Sequence, residues 1–387
     1  MRDTVYMDAA ASDEAYQEQV LPHVSRTFAL TIPQLPPRLR VGVTNAYLLC
    51  RIADTIEDQT VSSAAARLGL LHRFVAVLRG QEPAQQLARD LEPRLAQGTL
   101  PAERDLIRNS ERIVRLTGTL EAAQRAAIER CVAVMCDGMH QFQQTASLAG
   151  VARMRDLDDY CYYVAGVVGE MLTQLFCAYG PAIERQRAGL ERLSVSFAQG
   201  LQMTNILKDV WEDRERGACW LPREVFSRYG VELETLQVQR QPPGFHEGMR
   251  ELIGVAHAHL RNALSFTLLI PAAEVGIRRF CLWAIGMAVL TLRKLADTPG
   301  FTAGSQVKIS HAAVGLTQLL SNAAVRRDWL LRRLFAAAAA GLPRATLGAA
   351  HEPAPLPSAG APPDDFTHGI THTAQRELRR YEGSSGR

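Results

Sequence analysis

Apolar positions recur along the chain at helical spacing, in segments dominated by Ala, Leu, Arg, Glu and Gln. Val, Ile and Thr do not alternate with polar residues over any long stretch, so strand signals are scarce. The spacing predicts helices over 38–57, 62–80, 84–98, 103–116, 119–147, 156–178, 183–214, 221–228, 246–269, 273–296, 309–321 and 323–340. Breaks fall at Pro36-Pro37, Pro83, Pro101, Gly180-Pro181, Gly217, Pro222, Pro242-Pro243, Pro271 and Pro299-Gly300. The expectation is an all-α chain with short connections and no internal repeat. One large helical domain covers 19–342, after an N-terminal extension over 1–18. From Pro343 the composition shifts, with six Pro between 343 and 363 and a Glu-Gly-Ser-Ser-Gly-Arg end. Residues 343–387 therefore read as a disordered or loosely attached tail.

Charge narrows the partners. With 43 basic against 40 acidic residues and no basic run, the chain carries no nucleic-acid signature. Of the basic residues only Lys208, Lys294 and Lys308 are lysines. The seven cysteines form no CxxC pair and most sit in apolar stretches, so they read as buried thiols in a reducing compartment. Residues 1–11 have no apolar core of a secretory signal. The longest apolar runs, such as Leu334–Leu342, are shorter than the ~20 residues a membrane span needs. The expectation is a cytoplasmic protein, at most peripheral to the inner membrane.

Two segments break the pattern. Tyr47-Leu-Leu-Cys-Arg51-Ile-Ala-Asp54-Thr-Ile-Glu57-Asp58 is an apolar helix whose three carboxylates stand at i, i+3 and i+4 on one face. Gln202-Met-Thr-Asn205-Ile-Leu-Lys208-Asp209-Val-Trp-Glu212-Asp213 places Asn205, Asp209 and Asp213 at i, i+4 and i+8. Like charges on a buried face are unfavourable unless a cation compensates them. Both motifs offer hard oxygen ligands without His or Cys, a donor set suited to Mg²⁺ bridged to phosphate oxygens. Arg26, Arg51 and Lys208 are candidate phosphate donors. One such cluster alone is more often a solvated helix face. Facing each other across a cavity, two would form a diphosphate–metal site at the mouth of an apolar pocket, the arrangement for ionising an allylic diphosphate.

Four elements together resemble the squalene/phytoene synthase family over about 24–320: Ser25-Arg26-Thr27-Phe28-Ala29, the two acidic motifs, and Tyr160-Cys161-Tyr-Tyr163-Val-Ala-Gly166-Val-Val-Gly169. The resemblance implies an isoprenoid-synthase helical fold around a central cavity, and head-to-head condensation of two farnesyl diphosphates to presqualene diphosphate. It implies Asp54, Glu57, Asp58, Asn205, Asp209 and Asp213 as Mg²⁺ ligands. It implies diphosphate or substrate contacts from Ser25, Arg26, Phe28, Tyr47, Arg51, Gln202 and Lys208, and proton handling by Tyr160. Arg51, Asp54, Asp58, Asp209 and Asp213 join Tyr160 as the catalytic set.

Three further stretches resemble the squalene branch, which reduces presqualene diphosphate with NADPH. They are Trp220-Leu-Pro222-Arg-Glu224-Val225-Phe-Ser-Arg228-Tyr229, the Phe280-Cys281 helix with Met287-Ala288 and Thr291-Leu292, and the Phe301…Val307-Lys308-Ile309 flap. By that similarity Arg26, Arg51, Lys208 and Lys308 contact NADPH; no dinucleotide-binding GxGxxG fingerprint is present. Ser310 stands where the branch carries a second flap cation, Lys208 where Arg is common, and Ala284-Ile285 where Pro-Gln is usual. The C-terminal membrane helix of eukaryotic relatives has no counterpart, which predicts a bacterial-type enzyme with peripheral membrane contact for product release. Two alternatives remain open. One is an enzyme that stops at presqualene diphosphate or makes a dehydrosqualene- or phytoene-type product. The other is a non-catalytic assembly or lipid-binding relative.

Overall fold

A computed structural model describes residues 12–347, apart from 26 and 60. The chain divides into two units, 1–351 and 352–387, and every described residue belongs to the first. No strand occurs among the described residues; pairing is limited to the isolated bridges Val151–Pro222 and Gln237–Arg240.

The chain opens with α1 (Asp13–Val24), whose first turn is capped by Ser12 accepting from the Ala15 N–H at 3.1 Å. Tyr16 of this helix is fully buried, and its hydroxyl donates to Asp105 Oδ2 at 2.9 Å. The expected extension over 1–18 therefore ends too late. The first turns of α1 supply core residues, so 13–18 belong to the helical body.

α2 (Phe28–Thr31), α3 (Pro37–Gln59), α4 (Ala64–Leu78) and α5 (Ala84–Leu91) follow. The helix expected over 84–98 stops at Leu91, where Pro93 withholds a backbone donor and a 3-10 turn takes over. The segment expected over 103–116 is two helices, α6 (Pro101–Arg108) and α7 (Ser110–Thr119). Asn109 parts them, its amide bonded back to the Asp105 carbonyl at 3.0 Å.

α8 (Ala122–Thr145) and α9 (Met154–Cys161) lead into a π-helical segment, Tyr162–Gly166, and then α10 (Val167–Tyr179). After α11 (Pro181–Glu184) come α12 (Arg187–Lys208), α13 (Val210–Glu215), α14 (Arg223–Ser227), α15 (Pro243–Leu269) and α16 (Val275–Asp297). α17 (His311–Ala324) and α18 (Asp328–Ala338) close the body.

Burial explains the layout. α12 packs against α15, α10 and α16, and α3 against α8, α7 and α10, so both acidic motifs ride on central helices. Close approach of α10 and α12 needs Gly169, where a Cβ would overlap the Ser194 carbonyl. Two helical stretches are long and apolar enough to cross a membrane, Met154–Tyr179 and Val275–Asp297, but both are packed into the fold, half and two-thirds buried. All seven cysteines are free and buried, as their apolar settings predict.

Candidate active site

The second acidic motif begins as one helix and bends. α12 ends at Lys208, and Asp209 takes φ −98° and ψ 15°, serving as the C-cap of α12 and the N-cap of α13. The stripe survives the bend. The Asp209 N–H donates to the Asn205 carbonyl at 2.8 Å and the Asp213 N–H to the Asp209 carbonyl at 2.9 Å, so the three side chains keep helical register. The first motif occupies the C-terminal turns of α3.

The two stripes meet at a cavity of about 730 Å³. Glu57 and Asp58 line it from α3, Asn205, Asp209 and Asp213 from α12 and α13, with Gln202 and Tyr160 between them. The wall is more polar than an apolar pocket mouth: its apolar part is confined to Ile206, Ala218, Trp220 and the Tyr160 ring.

Electrostatics show what the cavity lacks. Burial pushes the Glu57 carboxyl up to about 7; Arg67 opposes the rise, while Asp58 and Asp54 add to it. Burial likewise lifts Asp213 to about 6 against Arg216, with Asp209, Asp58 and Glu212 adding repulsion. Asp54 stands at about 6, raised by burial and lowered by Arg51. Asp58 is raised by its concave setting although its side chain reaches solvent. Glu57 is 4% exposed and neither of its carboxylate oxygens accepts a hydrogen bond; Glu212 Oε2 is also unpartnered. Buried oxygens of this kind invite a hard divalent cation. Among the described residues no three His, Cys, Asp or Glu side chains already converge on one point. The donor set that lines the cavity is nonetheless all oxygen, which fits Mg²⁺.

Tyr160 lies flat on Trp220, ring centroids 3.9 Å apart at 8°, with Phe142 edge-on at 5.4 Å. Burial first, then Cys161 and the Asp213, Asp58 and Asp54 carboxylates, hold its phenol well above the ordinary tyrosine value. It is a neutral hydroxyl that can donate or relay a proton, and a poor phenolate base.

The other predicted residues form a second group beside the cavity. Ser25 Oγ accepts from the Phe28 N–H at 3.0 Å, and the Phe28 ring meets Tyr47 at 5.2 Å. Arg51 Nη2 donates to the Tyr47 hydroxyl at 3.1 Å, and Nη1 stands 3.7 Å from Asp54 Oδ2 and 3.9 Å from Glu103 Oε1. Lys208 pairs with Asp209. Arg26 lies outside the described residues.

The flap comes to the second motif. Phe301 is buried, and its carbonyl accepts from Trp211 Nε1 at 2.8 Å and Gln241 Nε2 at 2.9 Å. The Gly304 N–H donates to Glu212 Oε1 at 2.8 Å, and a Cβ at 304 would crowd the Lys208 carbonyl, Glu212 Oε1 and Asp209 Oδ1. Lys308 is exposed beyond this turn and does not reach the cavity wall. Ser310 caps α17 by accepting from the Ala313 N–H at 3.2 Å.

Arg67, Gln143, Glu212, Arg216 and Trp220 also line the cavity, beyond the site residues the sequence predicts. Arg216, three residues beyond Asp213, was within reach of a spacing argument. Arg67 and Gln143 come from α4 and α8 and carry no local signal.

Solved structures share this architecture. One described as a complex of TcSQS with a ligand superposes with a TM-score of 0.69 at 23% identity, covering 87% of this chain and 94% of that one. A squalene synthase from Alicyclobacillus acidocaldarius gives 0.52 at 18% identity over 75% of this chain and 95% of its own. The fold is thus that of the isoprenoid synthases, with paired acidic helices facing a cavity. More narrowly, the chain belongs to the squalene/phytoene synthase family, whose model matches residues 21–313. Similar relatives include the squalene synthases of Candida albicans, 28% identical over 73% of this chain and 61% of theirs, and of Solanum lycopersicum, 33% identical over 72% and 63%. That of Cochliobolus lunatus is 31% identical over 76% of this chain and 68% of its own. The match to the Candida albicans protein thus spans about three-fifths of that relative's length.

Proposed function

We propose that the chain is a squalene synthase: it condenses two farnesyl diphosphates head-to-head to presqualene diphosphate and reduces that intermediate to squalene. The observation that carries the reading is the cavity that carboxylates of both acidic motifs line beside a neutral tyrosine, with both Glu57 oxygens and Glu212 Oε2 buried and unpartnered. The similar relatives named squalene synthases support it.

Asp54, Glu57, Asp58, Asn205, Asp209 and Asp213 would hold Mg²⁺. The metal, when bound, supplies positive charge against the diphosphate leaving group. Arg51 and Lys208, with Arg26, would grip diphosphate oxygens; Tyr47, Gln202, Ser25 and Phe28 would place the substrates. Tyr160 would hand on a proton, its hydroxyl fixed by the Trp220 stack. The reductive half requires NADPH, which supplies hydride when bound and whose phosphates Arg26, Arg51, Lys208 and Lys308 would hold. The activity belongs to one helical domain ending near residue 342. A hydrocarbon product leaves into a lipid phase, so the reading carries cytoplasmic location and peripheral membrane contact with it.

One observation favours a second reading, a chain that stops before reduction. Ser310 is committed to capping α17, so the flap has one cation where the squalene branch carries two. Product analysis separates the two. With farnesyl diphosphate, Mg²⁺ and NADPH the protein should yield squalene, and without NADPH presqualene diphosphate or its hydrolysis products. Identical products with and without reductant would move the assignment to the non-reductive branch. No turnover of any C15 or C20 diphosphate would favour a non-catalytic relative.

A further inference from the structure

The α17–α18 hairpin inverts the usual distribution of polarity. α17 carries no charged residue between Ala312 and Ala324, and its exposed positions Ala312, Leu316, Leu319, Leu320 and Ala323 fall on one helical face. Leu316 is 55% exposed, Leu319 65% and Leu320 41%; on α18, Trp329 is 59% exposed. Four of the eight large apolar side chains exposed among the described residues thus crowd into one hairpin, where scattered ones would need no account.

Its charge is as one-sided as its polarity. The hairpin's charged residues are Arg326, Arg327, Arg332 and Arg333, all exposed, and Asp328. Asp328 is spent internally, accepting from the buried Arg278 Nη1 at 2.7 Å. Arg333 stacks over the Trp329 ring at 5.5 Å. A leucine face, an amphipathic tryptophan and surplus arginines are what an interfacial helix presents to anionic lipid.

We propose that the α17–α18 hairpin docks on an anionic lipid bilayer, with Leu316, Leu319, Leu320 and Trp329 entering the headgroup region and the four arginines pairing with lipid phosphates. The proposal does not depend on the chemistry of the cavity: none of these residues lines it. A second copy of the chain would also cover leucines, but a self-complementary contact would set arginine clusters of like charge near one another, whereas a phosphate surface complements them.

The test is sedimentation of the full chain with phosphatidylcholine vesicles and with mixed phosphatidylcholine–phosphatidylglycerol vesicles. Binding is expected to the mixed vesicles and to weaken with salt. Trp211, Trp220 and Trp283 are buried, so a blue shift of emission on binding should vanish in Trp329→Phe and assigns the contact to this hairpin. Arg332→Ser with Arg333→Ser should weaken partitioning by on the order of tenfold or more. Leu316→Gln, Leu319→Gln and Leu320→Gln together should weaken it at least as much, with the helical circular dichroism unchanged because all three side chains face outward. Equal sedimentation with both vesicle types, or no loss in either variant set, overturns the proposal. A dimer that dissociates in the leucine variant while no vesicle is bound also overturns it and makes the face an interface between copies. Vesicle binding that appears only after removal of residues 348–387 overturns it for the full chain.

Discussion

Tyr160 has a neighbour on each side that limits it. The Trp220 stack fixes where the phenol points, and burial, reinforced by the carboxylates of both motifs, keeps it protonated. Tyr160→Phe preserves the stack, so it should lower presqualene diphosphate formation by roughly 10²-fold or more without a change in melting temperature. A normal first half-reaction would remove Tyr160 from the proton path. The carboxylates give a pH prediction of defined sign. Glu57 at about 7 and Asp54 and Asp213 at about 6 bind protons more tightly in the folded chain than in the unfolded one. Their contribution to metal-free stability is therefore most favourable at acid pH and declines as pH rises from the ordinary carboxylate range through 6 and 7. Mg²⁺ competes with those protons, so the melting-temperature gain from Mg²⁺ over EDTA should grow across the same window. In Asp213→Asn that gain should shrink and turnover should fall by most of its value. A gain independent of pH, or near-normal turnover, contradicts the metal role.

At the level of elements, helical spacing identified the pieces and missed their joints. The run expected over 183–214 bends at Asp209, yet the backbone bonds Asp209 to Asn205 and Asp213 to Asp209 hold the acidic stripe in register. The π-helical segment at Tyr162–Gly166 begins two residues after Tyr160, and no periodicity argument flags one extra residue in a turn. Gly169 in the helix that follows has a tertiary cause, since a Cβ there would overlap the Ser194 carbonyl. Gly169→Ala should destabilise by about 1–3 kcal/mol, since the obstruction is backbone and cannot rotate away. Denaturant melts check it; an unchanged midpoint would show that α10 and α12 can part without cost.

At the scale of the molecule, Arg278 ties the C-terminal helices together. It is 2% exposed and donates to the Ile270 carbonyl at 2.8 Å, the Val325 carbonyl at 3.0 Å and Asp328 at 2.7 Å, joining the end of α15 to α16, α17 and α18. Arg278→Met keeps the bulk and strips the donors, leaving carbonyls unpaired, and should cost on the order of 3–5 kcal/mol. A melt matching wild type would show that apolar packing alone holds the hairpin. The sequence by itself determined the all-α class, because the apolar period is a local property of the chain. It also determined which carboxylates share a face, because i, i+3 and i+4 positions coincide on any helix. The tertiary structure decided which faces meet. It set Glu57 and Asp58 on the same cavity as Asp213, brought Arg67 and Gln143 there from separate helices, and laid Gly304 on Glu212. Those pairings join positions far apart in sequence, and they are fixed by how central helices fill space against one another rather than by any spacing along the chain.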